Sequence, residues 1–587
     1  MSQAVATPST HPIARHWDRG VLVISLIYFA AKAGYYALNI APSVPPDESA
    51  HYGISGVFAK TLGLPQDSAE SYPYGLITHS PTLYYYVMGR VANANFFFET
   101  DLYWLRLVNV MIGISTIVFG YLWMCLFTPN RAARALFAVM VTNIPMFTFL
   151  CASVSYDNLA NCLAAAGFYC LALFYTERRP SALGAFLVVI LLGCLTKYTF
   201  IPLAGMLLLL LLIHERKRLL ALPRRAAAAF RPFTPRRLWL PAVVSTLAAA
   251  NLFLYGGNWM QYRRLVPNAR QVLTLDQCMQ NPIFARDHIA QEFREGRMTL
   301  HEAFQAAGRI TDDGIKAALA EMLTRTLQQA PSRQPDSASP TEPSRREKPT
   351  KRKNETSQRD RFRMGVRTTI LAAVHILPST SQEREPPAMT GESSSTDLPH
   401  AADAPADHSA SPGRYAPLWA GQIAETTFRI LAQVPAFRTD AEFREYLAQP
   451  EVNKIYPPNP AFKSGLQLFV YGALFTIAAA TLVLTLSIPS ERRKQAFGTG
   501  MGAASSAILV SAYTLLVFWV NYGSFTTTGV AALAVQGRYL FPVLVPTYGL
   551  AASLLVCCWP RRLQVPIMLL IAAWFLYGDF AFTLPVW

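Results

Sequence analysis

Charge is scarce in this chain. Only 15% of its 587 residues are Asp, Glu, Lys or Arg, against 52% hydrophobic ones. A soluble protein of this size carries more charge, and the long apolar runs define a polytopic membrane protein instead. Cysteine is also sparse. Seven of the eight (Cys125, Cys151, Cys162, Cys170, Cys194, Cys557, Cys558) fall in apolar segments and only Cys278 lies outside them. That distribution excludes a disulfide framework and a zinc pattern, and leaves the cysteines as core filler. No glycine-rich phosphate loop of the Walker or dinucleotide type occurs, which argues against an ATP-driven pump. The net charge of +16 would suit nucleic acid, but most basic residues stand just outside apolar spans, so no nucleic-acid partner is expected. A small-residue cleavage site is missing after the first span, which Arg15 and Arg19 precede. A retained signal-anchor is therefore predicted, with residues 1–19 as a cytoplasmic tail.

What is present is a series of apolar runs near 20–41, 105–127, 135–152, 158–175, 182–196, 199–213, 238–255, 464–486, 500–520, 538–558 and 563–584. With the N-terminus inside, the inner connections are all basic: 128–134, 176–181, 214–237, 487–497 and 559–562. The loop 214–237 has eight Lys or Arg and one acidic residue, Glu215. The short outer connections hold Asp47, Glu48, Glu99, Asp101 and Asp157. The positive-inside rule thus predicts about eleven spans with the C-terminus outside. Residues 182–213 read as a hairpin of two short spans with Lys197 near its outer tip. Residues 81–98 are too short and polar for a comfortable span and read as an amphipathic helix on the outer surface. Arg90 is expected there on the solvated face, and Tyr84, Tyr85 and Tyr86 in a belt at headgroup level. The predicted organisation is an N-terminal transmembrane module, 20–255, containing an outer loop at 42–104. An extracytoplasmic insertion follows at 256–463, then a C-terminal transmembrane module at 464–587. The centre of the insertion, 331–415, is rich in Pro, Ser and charge and poor in aliphatic residues, and is expected to be disordered.

The most informative stretch is Pro45-Pro46-Asp47-Glu48-Ser49-Ala50-His51, directly after the first span. Ionised groups beside a bilayer are costly unless they have a role. Pro45 and Pro46 stop the preceding helix, and Asp47 stands where an N-cap belongs. In a helix starting there, His51 lies one turn on, so Asp47, Glu48 and His51 form one polar cluster. On the same predicted side stand His79, Asp157, Lys197 and Gln536-Gly537-Arg538. Acidic groups with nearby cations suit an anionic, lipid-borne substrate: a carboxylate can take a proton from an attacking hydroxyl, and Lys or Arg can hold a phosphate leaving group. Each residue also has a structural alternative. Asp157 can cap the fourth span, Lys197 can snorkel, Arg538 can anchor at the interface, and His51 and His79 can be surface histidines.

These motifs resemble the GT-C superfamily of integral membrane glycosyltransferases, which includes the protein O-mannosyltransferases and the bacterial aminoarabinose-lipid A transferases. Pro-Pro-Asp-Glu-x-x-His after the first span looks like their first outer loop. His79-Ser80-Pro81-Thr82-Leu83-Tyr84-Tyr85 is similar to their His-Pro-Pro-Leu-Tyr stretch, although Thr82 and Ser80 break the double proline. Leu105-Arg106-Leu107 resembles the opening of their second span. Ser155-Tyr156-Asp157-Asn158 resembles a second acidic site, Leu195-Thr196-Lys197 a Thr-Lys motif, and Gln536-Gly537-Arg538-Tyr539 a late motif of the bacterial branch. The likeness covers roughly 20–215 and 464–560, and the insertion has no counterpart.

The resemblance implies an all-α transmembrane bundle of GT-C type and an inverting transferase on the outer face of a cytoplasmic (inner) membrane. Its donor would be a sugar on a polyprenyl phosphate, and its acceptor a hydroxyl of an envelope glycan, lipid or protein. It assigns Asp47 as general base, with Glu48 and Asp157 shaping the site or binding acceptor or a cation. Lys197 and Arg538 would grip the donor phosphate, and His51, His79, Gln536 and Tyr539 would contact substrate. Three carboxylates and two histidines leave a divalent cation open. Two alternatives carry different expectations. A transporter or flippase of a lipid-linked or anionic solute would show charges near mid-bilayer and a two-fold repeat, and no repeat is apparent. A non-catalytic scaffold of an envelope assembly complex, recruiting partners through the insertion, would make Asp47 dispensable.

Overall fold

The computed structural model describes residues 17–40, 47–96, 98–219, 235–310, 501–528 and 537–583, with isolated positions between 316 and 423. Pro45, Pro46, Gln536, the 464–486 run, the 487–497 loop and most of 331–415 lie outside the described residues. Two compact units are distinguished, residues 1–273 with 407–587 and residues 274–406.

The first unit is built from helices only, among the described residues. They are α1 (Trp17–Asn39), α2 (Glu48–Ala59), α3 (Leu83–Ala92), α4 (Asp101–Phe127), α5 (Arg131–Thr142), α6 (Pro145–Cys151), α7 (Tyr156–Glu177), α8 (Pro180–Thr196), α9 (Phe200–Leu219), α10 (Pro235–Asn251) and α11 (Gly257–Tyr262). After them come α12 (Met501–Thr528), α13 (Leu544–Cys557), which continues a 3₁₀ turn over Gly537–Val543, and α14 (Arg561–Thr583). Among the described residues, six helices are long and apolar enough to cross a membrane, or seven if the bent pair α5–α6 is one span. The protein is an all-α, polytopic membrane protein.

Local chemistry sets where these helices begin and end. The side chain of Asn130 accepts from the N–H groups of Ala132 and Ala133 and caps α5. Pro145 and Pro180 stand at the first turns of α6 and α8, where a missing N–H costs nothing. Pro145 also forces Ile144 into extended backbone, and α5 and α6 meet at a 62° bend. That break frees the Thr142 carbonyl, which accepts from the ammonium of Lys32 at 3.0 Å; Lys32 is buried midway along α1. A polar backbone group away from water needs such a partner.

The apolar core gathers α1, α4, α5, α7, α8, α9 and α13, with Phe29, Leu136, Phe137, Phe147, Phe186 and Ala552 essentially inaccessible. Lys197 breaks the chain between α8 and α9, which touch near that break, where Gly193 lies against the ring of Phe200. At the end of the bundle opposite Lys197, the Arg178 guanidinium pairs with Glu215. Tyr121 donates to Asp18 at 2.9 Å, and Arg134 lies 3.6 Å from the same carboxylate.

The segment 81–98 contains only the ten-residue helix α3, about 15 Å long and too short to span a bilayer. It packs on α2 so closely that a Cβ at Gly89 would sit 2.8 Å from backbone atoms of Phe58 and Ala59. Two expectations for this segment fail. Arg90 does not face solvent: its guanidinium is half-buried and donates to the carbonyls of Phe58 and Thr61, closing the C-terminus of α2. Tyr84 and Tyr85 are not a headgroup belt but are buried between α2, α4 and α7, because α3 lies under a layer of protein.

The second unit contains helices at Pro282–Arg294 and Leu300–Ala307, started by Asn281 and by a Thr299–Glu302 capping box. Ala285, Ile289, Ala303, Ile310 and Leu319 form its small core.

Candidate active site

The polar residues singled out by sequence converge where α1 ends and α7 begins, at the α8–α9 break and at the 3₁₀ turn before α13. Asp47 precedes α2 with φ of 60°, in the left-handed region that Asp tolerates better than most residues. Its side chain does not cap α2. Instead Arg538 Nη2 donates to Asp47 Oδ2 at 2.6 Å.

Glu48, the next residue, points elsewhere and is 1% exposed. Arg106 Nε donates to its Oε1 at 2.8 Å and Nη2 to its Oε2 at 2.5 Å. The Val154 N–H adds a third bond at 3.0 Å. Arg106 Nη1 in turn donates to the carbonyls of Ala37 and Ile40 at the end of α1. This one guanidinium therefore joins the ends of α1 and α2 to α4, and Glu48 joins them to the extended approach to α7.

Asp157 lies in the first turn of α7. Ser155, not Asp157, caps that helix, accepting from the Asp157 N–H at 3.2 Å. The Asp157 carboxylate thus serves the site, where it pairs with the Lys197 ammonium. Lys197 follows the last turn of α8 in extended backbone, 4.5 Å above the ring of Tyr156 and 5.6 Å from that of Tyr539. Arg538 Nε lies 3.8 Å from Asp157 Oδ2. The charges therefore alternate: Lys197, Asp157, Arg538, Asp47. Arg538 is 5% exposed, yet its Nε and Nη1 have no hydrogen-bond partner among the described residues. Buried donors normally find acceptors, so these two are open to a ligand oxygen.

His51 is buried beside this chain of charges. Its Nδ1 lies 2.8 Å from the Tyr85 hydroxyl, and its ring stands edge-on to Tyr156 at 4.4 Å. Burial lowers its pKa to about 4, so it is neutral at pH 7, even though Asp47 and Asp157 pull it the other way. Burial, with Tyr156, Tyr84, Asp157 and Asp47 nearby, raises the Tyr85 phenol well above its ordinary range.

His79 belongs to another network: its Nδ1 lies 2.9 Å from Asn258 Oδ1 and its ring stands edge-on to Tyr262 at 5.1 Å. Tyr539 flanks both Lys197 and Arg538, and Gln536 is outside the described residues. Several contributors had no place in the sequence-derived site. Arg106 was only a motif position, although an arginine near the start of a 27-residue apolar helix signals a buried partner. The Tyr84 hydroxyl donates to Asn109 Oδ1 at 3.1 Å, as does Asn158 Nδ2 at 3.0 Å, which ties α3, α4 and α7 together beneath the site.

Among the described residues, no three His, Cys, Asp or Glu side chains converge as metal ligands. The three carboxylates each face a cation of the chain itself: Asp47 faces Arg538, Glu48 faces Arg106 and Asp157 faces Lys197. This donor set does not fit a divalent cation.

Residues 40–287 match the family described as predicted membrane protein (DUF2142). No curated protein matches the chain. Two solved structures are similar to it. One is the oligosaccharyltransferase of Archaeoglobus fulgidus in its apo form, at 13% identity and a TM-score of 0.38, covering 97% of this chain and 56% of that one. The chain thus spans little more than half of that protein's length. The other is ArnT from Cupriavidus metallidurans in the apo state, at 14% identity and a TM-score of 0.30, covering 92% of this chain and 78% of that one.

Proposed function

We propose that the protein is an inverting glycosyltransferase that moves a sugar from a polyprenyl-phosphate carrier to an acceptor hydroxyl of an envelope glycan, lipid or protein. The observation that carries this reading is the buried guanidinium of Arg538, with two donors that have no hydrogen-bond partner among the described residues, set between a half-exposed carboxylate and the Lys197–Asp157 pair. A phosphate offers the acceptor oxygens these donors lack, and guanidinium and ammonium groups suit phosphate. Asp47, 42% exposed at the side chain, is the carboxylate that an incoming hydroxyl can reach.

In the reaction, Asp47 takes the acceptor proton while the acceptor oxygen bonds to the anomeric carbon. The bond from that carbon to the phosphate oxygen breaks, and its electron pair stays on the phosphate beside Lys197 and Arg538. Attack opposite the departing phosphate inverts the anomeric centre. Asp157 holds Lys197 in place. Glu48 acts as a positioning residue that fixes Asp47 through the backbone. The basic connections at the other end of the bundle support an outer-face site in a cytoplasmic membrane.

The test is the purified protein with radiolabelled polyprenyl-phosphate sugars, wild type against Asp47→Asn. The expected result is sugar transfer or release by wild type and a loss of about 10²–10⁴-fold in the variant, with donor still bound. Full activity in Asp47→Asn removes the general-base assignment. Wild type that neither binds nor consumes any such donor removes the transferase reading.

A further inference from the structure

Arg538 is committed twice in the scheme above, once to Asp47 and once to the donor phosphate. Resting on that scheme, we propose that the two uses exclude each other: the donor phosphate displaces Asp47 from Arg538, and the base is released only in the donor-loaded site.

The members of the charge chain are unequally held. Arg538 and Asp157 have side chains 4% and 8% exposed, whereas Asp47 is 42% exposed and forms the solvent-facing end. Asp157 is anchored by Lys197, and Lys197 by the rings of Tyr156 and Tyr539. The Asp47 carboxylate has one hydrogen bond among the described residues, that from Arg538 Nη2. It contributes nothing to capping α2, and its backbone is at φ 60°. Letting go of Arg538 therefore costs Asp47 one contact and disturbs no helix. Arg538 gains by the exchange, because a phosphate can satisfy Nε and Nη1, which Asp47 leaves unpaired.

Charge balance drives the exchange. Asp47, Asp157, Lys197 and Arg538 sum to zero in the empty site, and a phosphate arriving at Arg538 places a like charge beside Asp47. The carboxylate moves toward solvent, where the acceptor hydroxyl enters. In the empty enzyme the same carboxylate is engaged by Arg538 Nη2. Donor binding must then precede productive acceptor binding.

The experiment measures binding of polyprenyl phosphate without sugar to the full-length protein in phosphatidylcholine nanodiscs. If Asp47 competes for Arg538, Asp47→Asn binds the carrier about tenfold more tightly than wild type, the worth of one charge-assisted hydrogen bond. Asp47→Gly, which accepts a positive φ without strain, shows the same tightening and guards against a folding defect in the first variant. Equal or weaker binding by both variants overturns the displacement but leaves the phosphate site standing. Absence of carrier binding in every form overturns both. Tightening seen with inorganic phosphate but not with the carrier keeps the displacement and overturns the lipid-linked donor.

Discussion

Glu48 and Arg106, 58 residues apart, meet in a two-pronged, fully buried ion pair that joins α2 to α4. Its neighbour Asp47 is half-exposed and faces a different arginine. Two adjacent carboxylates of one motif therefore have different partners and different accessibility. Removing one side of a buried pair strands the other charge, which costs about 3–5 kcal/mol. Glu48→Gln and Arg106→Met are each expected to lower the thermal unfolding midpoint sharply in detergent. A Glu48→Gln protein of wild-type stability that lacks transfer activity would instead make Glu48 a reacting group.

Lys197→Ala is expected to weaken carrier-phosphate binding by about 10–100-fold, from the loss of a charged hydrogen bond of about 1.5–3 kcal/mol. It also leaves Asp157 with Arg538 as its remaining cation. Arg538→Lys keeps the charge but loses the fork, so it should recover only part of the binding lost in Arg538→Ala. Equal binding by wild type and Lys197→Ala, measured in nanodiscs, would remove Lys197 from the donor site.

The buried His51 predicts a pH dependence with a defined sign. Its pKa falls from 6.5 in the unfolded chain to about 4 in the folded protein. Between these values the unfolded state binds the extra proton, so its contribution to stability is complete above pH 6.5 and is lost as pH falls toward 4. The shift corresponds to about 3 kcal/mol at most. His51→Gln should therefore show a shallower fall in unfolding midpoint than wild type as the pH is lowered from neutrality to about 4.5. Parallel curves would mean that His51 does not supply this slope.

Gly89 permits the close approach of α3 to α2, and the obstacle a Cβ meets there is backbone. Gly89→Ala is expected to destabilise the protein by about 1–3 kcal/mol through overpacking. By displacing Tyr85 from His51 it should also lower transfer activity more than binding. Wild-type stability in this variant, by thermal unfolding, would show that the two helices can part without cost.

The membrane class and the gathering of polar residues at one end of the bundle were legible because both follow from composition and from where charges stand relative to apolar runs. Asp47, Asp157, Lys197 and Arg538 could thus be assigned to one end of the bundle by charge and hydropathy alone. Their pairing could not be read, since it depends on how α7, α8 and the turn before α13 rotate. The divergence of Asp47 and Glu48 was hidden for a simple reason: consecutive residues at a helix start point in different directions. His79 looked like a site residue from its motif, but its partners, Asn258 and Tyr262, are far along the chain and no local pattern announces them. The burial of Tyr84 and Tyr85 was likewise unreadable, because three consecutive tyrosines suit a lipid interface as well as a layer under α2.

The bond from Lys32 to the carbonyl of Thr142 ties the middle of the first helix to the kink between α5 and α6. An apolar helix among apolar neighbours can slide along its axis with little change in contacts. A buried ammonium matched to the carbonyl freed at a kink cannot shift by a turn without breaking that bond. The pair therefore acts as a depth stop for α1. Because Arg106 joins the end of that helix to Glu48, the stop also bears on where Asp47, the preceding residue, is held.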